Sequence, residues 1–173
     1  MEPRRKKMAE TELIVGPGKR EVTIRRTFDA PRDLVWQACT DPELIPRWWG
    51  PEDLTTTVDE MDVRSGGSWR IVQRDAGGNE YVFFGAYREI APPKRIAETF
   101  EFESMPGHGL LETDTFEDLG GRTMLTTHLV FRNAEDRERM LQAGMKEEMA
   151  GTMDRLAALL ANLIVRRRPI PVR

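Results

Sequence analysis

The chain has 173 residues, 39% of them hydrophobic and 32% charged, which is enough for one domain with a sizeable core and too short for two comfortable ones. No apolar run reaches the roughly 18 residues that span a bilayer, and the charged first ten residues lack the apolar segment of a secretory signal. The net charge of −3 is unevenly placed, with +3 on residues 1–7, +4 on residues 166–173 and −10 on the body between, a poor platform for a nucleic-acid backbone.

Residues 1–19 read as a disordered basic lead that ends in Gly16-Pro17-Gly18. Residues 20–28 alternate, with Val22, Ile24 and Phe28 on one face and Glu21, Thr23, Arg25 and Thr27 on the other, the mark of a half-buried strand. Asp29-Ala30-Pro31 stops it and starts a helix over about 32–39, with Leu34, Val35 and Ala38 as its apolar side. Thr40-Asp41-Pro42-Glu43 opens a second short helix, which closes near Trp48-Trp49-Gly50-Pro51. Strands follow at 55–63, 68–74, 80–90, 95–103, 110–117 and 122–131, joined by turns such as Ser65-Gly66-Gly67 and Asp75-Ala76-Gly77-Gly78-Asn79.

Asn133 is placed to cap a short helical approach over 137–142. From Gly144 onward Met145, Met149, Met153, Leu156, Leu159 or Leu160, and Leu163 recur every three or four residues and form one wide apolar helix face. Arg166 to Arg168 suit the negative end of that helix, and Pro169 and Pro171 stop it. The order predicts an α+β fold: two short helices after strand 1, then a curved antiparallel meander of about six or seven strands that closes around a long C-terminal helix. The domain spans 20–165, and 166–173 form a basic tail. A sheet and a helix that meet along their edges leave a cavity between them.

Candidate functional residues follow from this geometry. Met145, Met149 and Met153 form a flexible, polarizable stripe, suited to an adaptable pocket wall as well as to plain core packing. Trp48, Trp49, Trp69, Tyr81, Phe83 and Phe100 lie on strands or at the helix-to-strand turn, where inward aromatics orient an apolar ligand; Tyr87 and Phe102 share the pattern. His108 in a loop and His128 on a strand do not make a metal site by spacing. Asp62, beside a tight Gly-Gly turn, is expected to pin that turn or to pair with Arg26 or Arg70. No Ser/His/Asp or Cys/His arrangement for nucleophilic catalysis is present, and the glycine pairs lack the Lys-Ser/Thr of a phosphate loop. The lone Cys39 excludes an internal disulfide and a cysteine-based zinc site, points to a reducing cytoplasm, and reads as a small buried hydrophobe.

Several segments in order resemble one family. They are Phe28 to Trp36, Thr40 to Glu43, Trp48-Trp49-Gly50-Pro51, Asp62 to Arg70, Phe84 to Ile90 with Pro92-Pro93, and Gly120 to Thr123. The family is the activator of heat shock protein 90 ATPase-like group (C-terminal-domain type) of the START/SRPBCC (Bet v 1-like) superfamily, and the resemblance covers about 22–163. It implies a helix-grip fold with a hydrophobic pocket. It does not imply chaperone activation, because the eukaryotic co-chaperones behind the name carry a further domain that this chain is too short to contain. Many relatives begin the last helix with Gly-Trp, where this chain has Gly144-Met145. The function expected is binding of a small hydrophobic or amphipathic ligand, with no cofactor, metal, catalytic residue, nucleic acid or membrane span, and with homodimerisation left open. The competing readings are a polyketide-cyclase-like enzyme and a chaperone- or protein-interaction module.

Overall fold

The computed structural model describes residues 9–16 and 20–167. Alternation dominates the strands. β1 (Glu12–Ile14) and β2 (Glu21–Phe28) precede α1 (Arg32–Thr40) and a single 3₁₀ turn (Ile45–Arg47). Then come β3 (Thr55–Met61), β4 (Ser68–Arg74), β5 (Glu80–Ala91), β6 (Arg95–Phe102), β7 (Leu110–Asp118) and β8 (Thr123–Phe131). α2 (Ala134–Gln142) and α3 (Met145–Arg167) complete the chain. The strands form one antiparallel sheet in the order β1-β2-β8-β7-β6-β5-β4-β3. In β8 every second residue from Thr123 to Phe131 is buried, and Val22, Ile24, Arg26 and Phe28 are the buried set of β2.

The sheet has eight strands, not six or seven. The additional one is β1, inside the stretch expected to be disordered. Its Leu13 pairs with Ile24 and packs on the cluster of Val22, Ile24, Leu129, Phe131 and Met145. A three-residue strand carries too little periodicity to stand out, and Gly16-Pro17-Gly18 interrupts the chain only after it. Residues 1–8 and 168–173, which hold most of the basic lead and tail, lie outside the described residues. Arg166 and Arg167 continue α3 past the expected boundary at 165. Arg167 there donates to Asp33 and Gln37 of α1, at 3.2 Å each. α2 starts three residues earlier than expected, where Asn133 accepts from the Asp136 backbone N–H at 2.8 Å.

α3 lies against the concave side of the sheet. Met153, Leu156, Leu159 and Leu160 pack with Leu34, Val35 and Ala38 of α1 and with Phe116 and Leu125 of the sheet. Burying this apolar face, more than helix propensity, holds α3 in place. Asp62 bonds neither Arg26 nor Arg70. It accepts from Arg64 Nε at 2.8 Å, while Arg26 reaches Asp154 of α3 at 2.5 Å and Arg70 reaches Asp59. Arg70 lies close to the β3–β4 turn but is taken by Asp59 and by Glu103, and Arg26 by Asp154, which leaves Asp62 to Arg64.

The β5 backbone comes unusually close to its neighbours at Gly85. A Cβ there would lie 1.8 Å from the Thr99 carbonyl oxygen and 2.8 Å from Trp69 Nε1. Direct β5–β6 pairing lapses between Phe84↔Glu101 and Tyr87↔Glu98, and the Ala86 N–H donates instead to Thr99 Oγ1 at 2.9 Å. Glycine is thus required for close backbone approach. Gly85→Ala should lower stability by about 1–3 kcal/mol or more through overpacking. A urea midpoint equal to that of the parent chain would contradict this.

Candidate functional site

The site begins with two sequence intervals that alternation turns inward. On β6 these are Ile96, Glu98 and Phe100; on β7 they are Leu110, Glu112, Asp114 and Phe116. Glu98 stands directly opposite Glu112, Tyr87 of β5 opposite Glu98, and Thr127 of β8 opposite Asp114. One row across the inner face of four strands therefore carries Tyr87, Glu98 and Glu112, with Asp114 and Thr127 beside it. Carboxylate oxygens of Glu98, Glu112 and Asp114 all lie within 4.8 Å of one another. These acids sit deep in the fold yet remain partly accessible, because they open onto an internal pocket.

That pocket has a volume of about 230 Å³ and lies between the sheet, α1, α3 and the Trp48–Gly50 segment. One wall is aromatic. Trp49 meets Phe83 edge-on at 5.3 Å between ring centroids, and Phe100 lies 5.6 Å from Phe83 and 5.5 Å from Trp69. The opposing wall is the Met145, Met149 and Met153 stripe of α3. Exposed Met140 and Glu148 lie at its rim. Arg155 of α3 fixes the loop that carries Trp49, donating from Nε to the Trp48 carbonyl at 3.3 Å and from Nη2 to that of Gly50.

Crowding three acids in a desolvated space has electrostatic consequences. Burial, and secondarily the neighbouring Asp114, holds the Glu98 carboxyl well above its usual range. Burial does the same to Glu112, reinforced by Asp114 and Glu98 and by a hydrogen bond with Asp114. Asp114 is pushed up to about 6 by burial, against the pull of Thr127 and Glu112. The Thr127 hydroxyl donates to Asp114 Oδ1 at 2.5 Å. The contact between them raises Glu112 and lowers Asp114, so Glu112 holds its proton more firmly than Asp114. Glu98 has no hydrogen-bond or ion-pair partner among the described residues. Burial first, then Asp114, Glu98 and Glu112, raises the Cys39 thiol well above its ordinary value. Cys39 packs on the core as a small, partly buried residue, and it also lines the pocket.

Of the residues singled out from sequence, Trp48, Trp49, Trp69, Phe83, Phe100, Met145, Met149 and Met153 line the pocket. Trp48 is the most anchored of them, its indole N–H donating to the Ala38 carbonyl at 2.9 Å. Tyr81 does not line it. It shares a face with Phe83 but sits at the hairpin end of β5, where its hydroxyl donates to Asp75 Oδ2 at 3.1 Å. The histidines lie elsewhere: His108 Nδ1 is 2.9 Å from Asp136, and His128 is 3.8 Å from Glu21. Sequence reasoning missed Glu98, Glu112 and Asp114, the group among the described residues with the spacing to hold a cation. The signal was present, since each acid shares strand parity with large apolar residues: Ile96 and Phe100 around Glu98, Leu110 and Phe116 around the other two.

The residues from 29 to 161 match the model of the Activator of Hsp90 ATPase homolog 1-like protein family. The chain belongs to that family. The family placement agrees with the resemblance carried by the ordered motifs, and a protein of known structure from Rhodobacter sphaeroides is similar throughout. It is 25% identical, with a TM-score of 0.82 over 88% of this chain and 99% of that one. A protein from Arthrobacter aurescens shares the fold at 24% identity, with a TM-score of 0.80 over 87% of this chain and 91% of its own. An AHSA1 protein from Silicibacter pomeroyi does so at 23% identity and a TM-score of 0.69, over 83% and 99%. No curated protein matches the chain. Among the described residues, no helix is long and apolar enough to cross a membrane.

The raised carboxyl pKa values make a sign-definite prediction. A carboxyl whose folded pKa exceeds its unfolded value contributes fully below the unfolded value, and that contribution is lost as pH rises through the folded one. For Asp114 the window runs from 3.8 to about 6. Asp114→Asn, which still accepts from Thr127, should therefore be more stable than the parent at pH 8 by up to about 3 kcal/mol. The difference should vanish at about pH 4. Thermal unfolding across this range checks it, and an Asn variant no more stable at pH 8 than at pH 4, relative to parent, contradicts it.

Proposed function

We propose that this chain binds a small amphipathic molecule in the pocket between α3 and the sheet. The observation that supports this best is the pocket's division of labour. A rigid aromatic wall and a flexible methionine wall offer apolar contact on two sides, and a cluster of polar groups lies on the floor. Apolar lining with a few convergent polar groups is the usual build of a small-molecule site. A volume of about 230 Å³ falls below the roughly 300–1,000 Å³ of sites for drug-sized ligands, so the guest is small. The acidic floor favours an amphipathic guest over a purely apolar one, since an oil-like molecule would leave buried carboxyls without partners. The lone partly buried thiol supports a reducing, cytoplasmic setting.

One observation favours a second reading, an enzyme of polyketide-cyclase type. Glu112 and Asp114 stand together inside the pocket, with Asp114 pushed up to about 6, the range in which a carboxyl serves as acid and base at neutral pH. Cys39 has no part in it, since its thiol stays protonated.

A neutral apolar dye, N-phenylnaphthylamine, tests the binding reading. The parent chain should take it up with enhanced fluorescence, and purified protein should carry a guest by native mass spectrometry. Met149→Trp, which fills the space from the α3 side, should weaken uptake about tenfold or more while the fold is retained. Neither dye uptake nor a retained guest, or equal uptake by the filled variant, would contradict the reading.

A further inference from the structure

We infer that the guest is an organic cation, a small primary amine on an apolar body, whose ammonium group is held among Glu98, Glu112 and Asp114. This rests on the proposed binding function and specifies the chemistry of its ligand.

Charge accounting is the first observation. The chain holds 26 lysines and arginines, yet none of them, and neither histidine, lines the pocket among the described residues. Arg26 of β2 is committed to Asp154, and Arg155 of α3 to the Trp48 and Gly50 carbonyls. The lining does hold the three floor carboxyls, with Glu148 as a fourth at the rim. Buried carboxyls are ordinarily paired with a cation or relieved by hydrogen bonds. Here only Asp114 receives a hydroxyl, from Thr127, and Glu98 receives nothing.

An independent observation concerns Tyr87. Only 4% exposed, it lines the pocket from β5 opposite Glu98, and its hydroxyl has no hydrogen-bond partner among the described residues. The ring is buried, but the hydroxyl stays open to the pocket, where a guest can reach it. An ammonium group supplies three N–H donors, enough for Glu98, Asp114 and one further acceptor. The aromatic wall suits it as well, since ring faces attract cations and pack the guest's apolar body. A bare divalent ion would satisfy the acids but leave the aromatic and methionine walls empty. A neutral alcohol would fill the walls but supply a single donor.

Proton release follows. The groups that face the floor are Cys39 from α1, Tyr87 from β5, Glu98 from β6, Glu112 and Asp114 from β7, and Glu148 from α3, with the Thr127 hydroxyl from β8. None of them supplies positive charge, so the floor holds protons when empty and gives them up to an entering cation. Affinity for an amine therefore rises with pH through about 6 and above, while affinity for an alcohol does not rise.

The test is calorimetry on the full chain at neutral pH, in two buffers of different ionisation heat. Phenethylamine, tryptamine and hexylamine are each compared with the alcohol of the same body, and with magnesium and manganese ions. At least one amine should bind about tenfold or more tighter than its alcohol, with measurable proton release. Glu98→Gln should erase that preference, and Asp114→Asn should reduce it, each variant confirmed as folded by near-ultraviolet dichroism. Alcohols binding as tightly as amines would overturn the cationic assignment and leave the binding function standing. So would uptake of N-phenylnaphthylamine with no amine bound. Binding of the divalent ions without any amine overturns it in favour of a metal. No amine, alcohol or dye bound at all defeats both.

Discussion

The structure depends on one geometric constraint: every second residue of a curved antiparallel sheet must face the helix that the sheet embraces. The α3 helix fills only part of the concave side. Where its leucines meet α1, Phe116 and Leu125, the interior is closed-packed. Beyond Met153 the same helix face turns to methionine, and the facing strands carry aromatic rings and acids instead of more aliphatic side chains. The core and the pocket are thus one continuous surface with two compositions. The arginine of α3 ties that helix to the Trp48–Gly50 segment at the edge of the pocket.

The placement of acids on that inner face is costly by design of the fold alone. A carboxyl moved from water into a protein interior without a partner loses solvation that a single hydroxyl does not replace. The chain meets this by keeping protons on the floor, through the Glu112–Asp114 hydrogen bond and through raised pKa values. A Leu or Val at these positions would have been more stable, by the measure that strained or poorly satisfied groups gather where activity needs them. The floor consequently carries less negative charge near neutral pH than three free carboxyls would.

Much of this was legible in the sequence, and for identifiable reasons. The long strands announced themselves because β2 and β8 each bury one face cleanly. The α3 stripe was legible because Met145, Met149 and Met153 keep a strict interval of four. Helix–loop motifs around Pro31 and Trp48–Pro51 carried the family resemblance, which the match over 29–161 bears out. What escaped notice depended on information that alternation does not contain. β1 is too short to show a period. Tyr81 has the right parity, but parity does not say how far along a strand the pocket extends. The acids were overlooked because a charged residue on a strand ordinarily faces water. Only the register, which sets Tyr87 beside Glu98, Glu98 beside Glu112 and Asp114 beside Thr127, gathers residues from four strands into one site.

The central claim is that Glu98, Glu112 and Asp114 form a desolvated cluster with no cationic partner among the described residues, and carboxyl-carbon NMR measures this most directly. With the side-chain carboxyls labelled and the empty protein followed from pH 3 to 9, the three signals should titrate late, in coupled steps that belong to the group rather than to single residues. At least one carboxyl should still hold its proton at neutral pH. Three independent titrations near the ordinary value of about 4 would place these side chains in water and contradict the site.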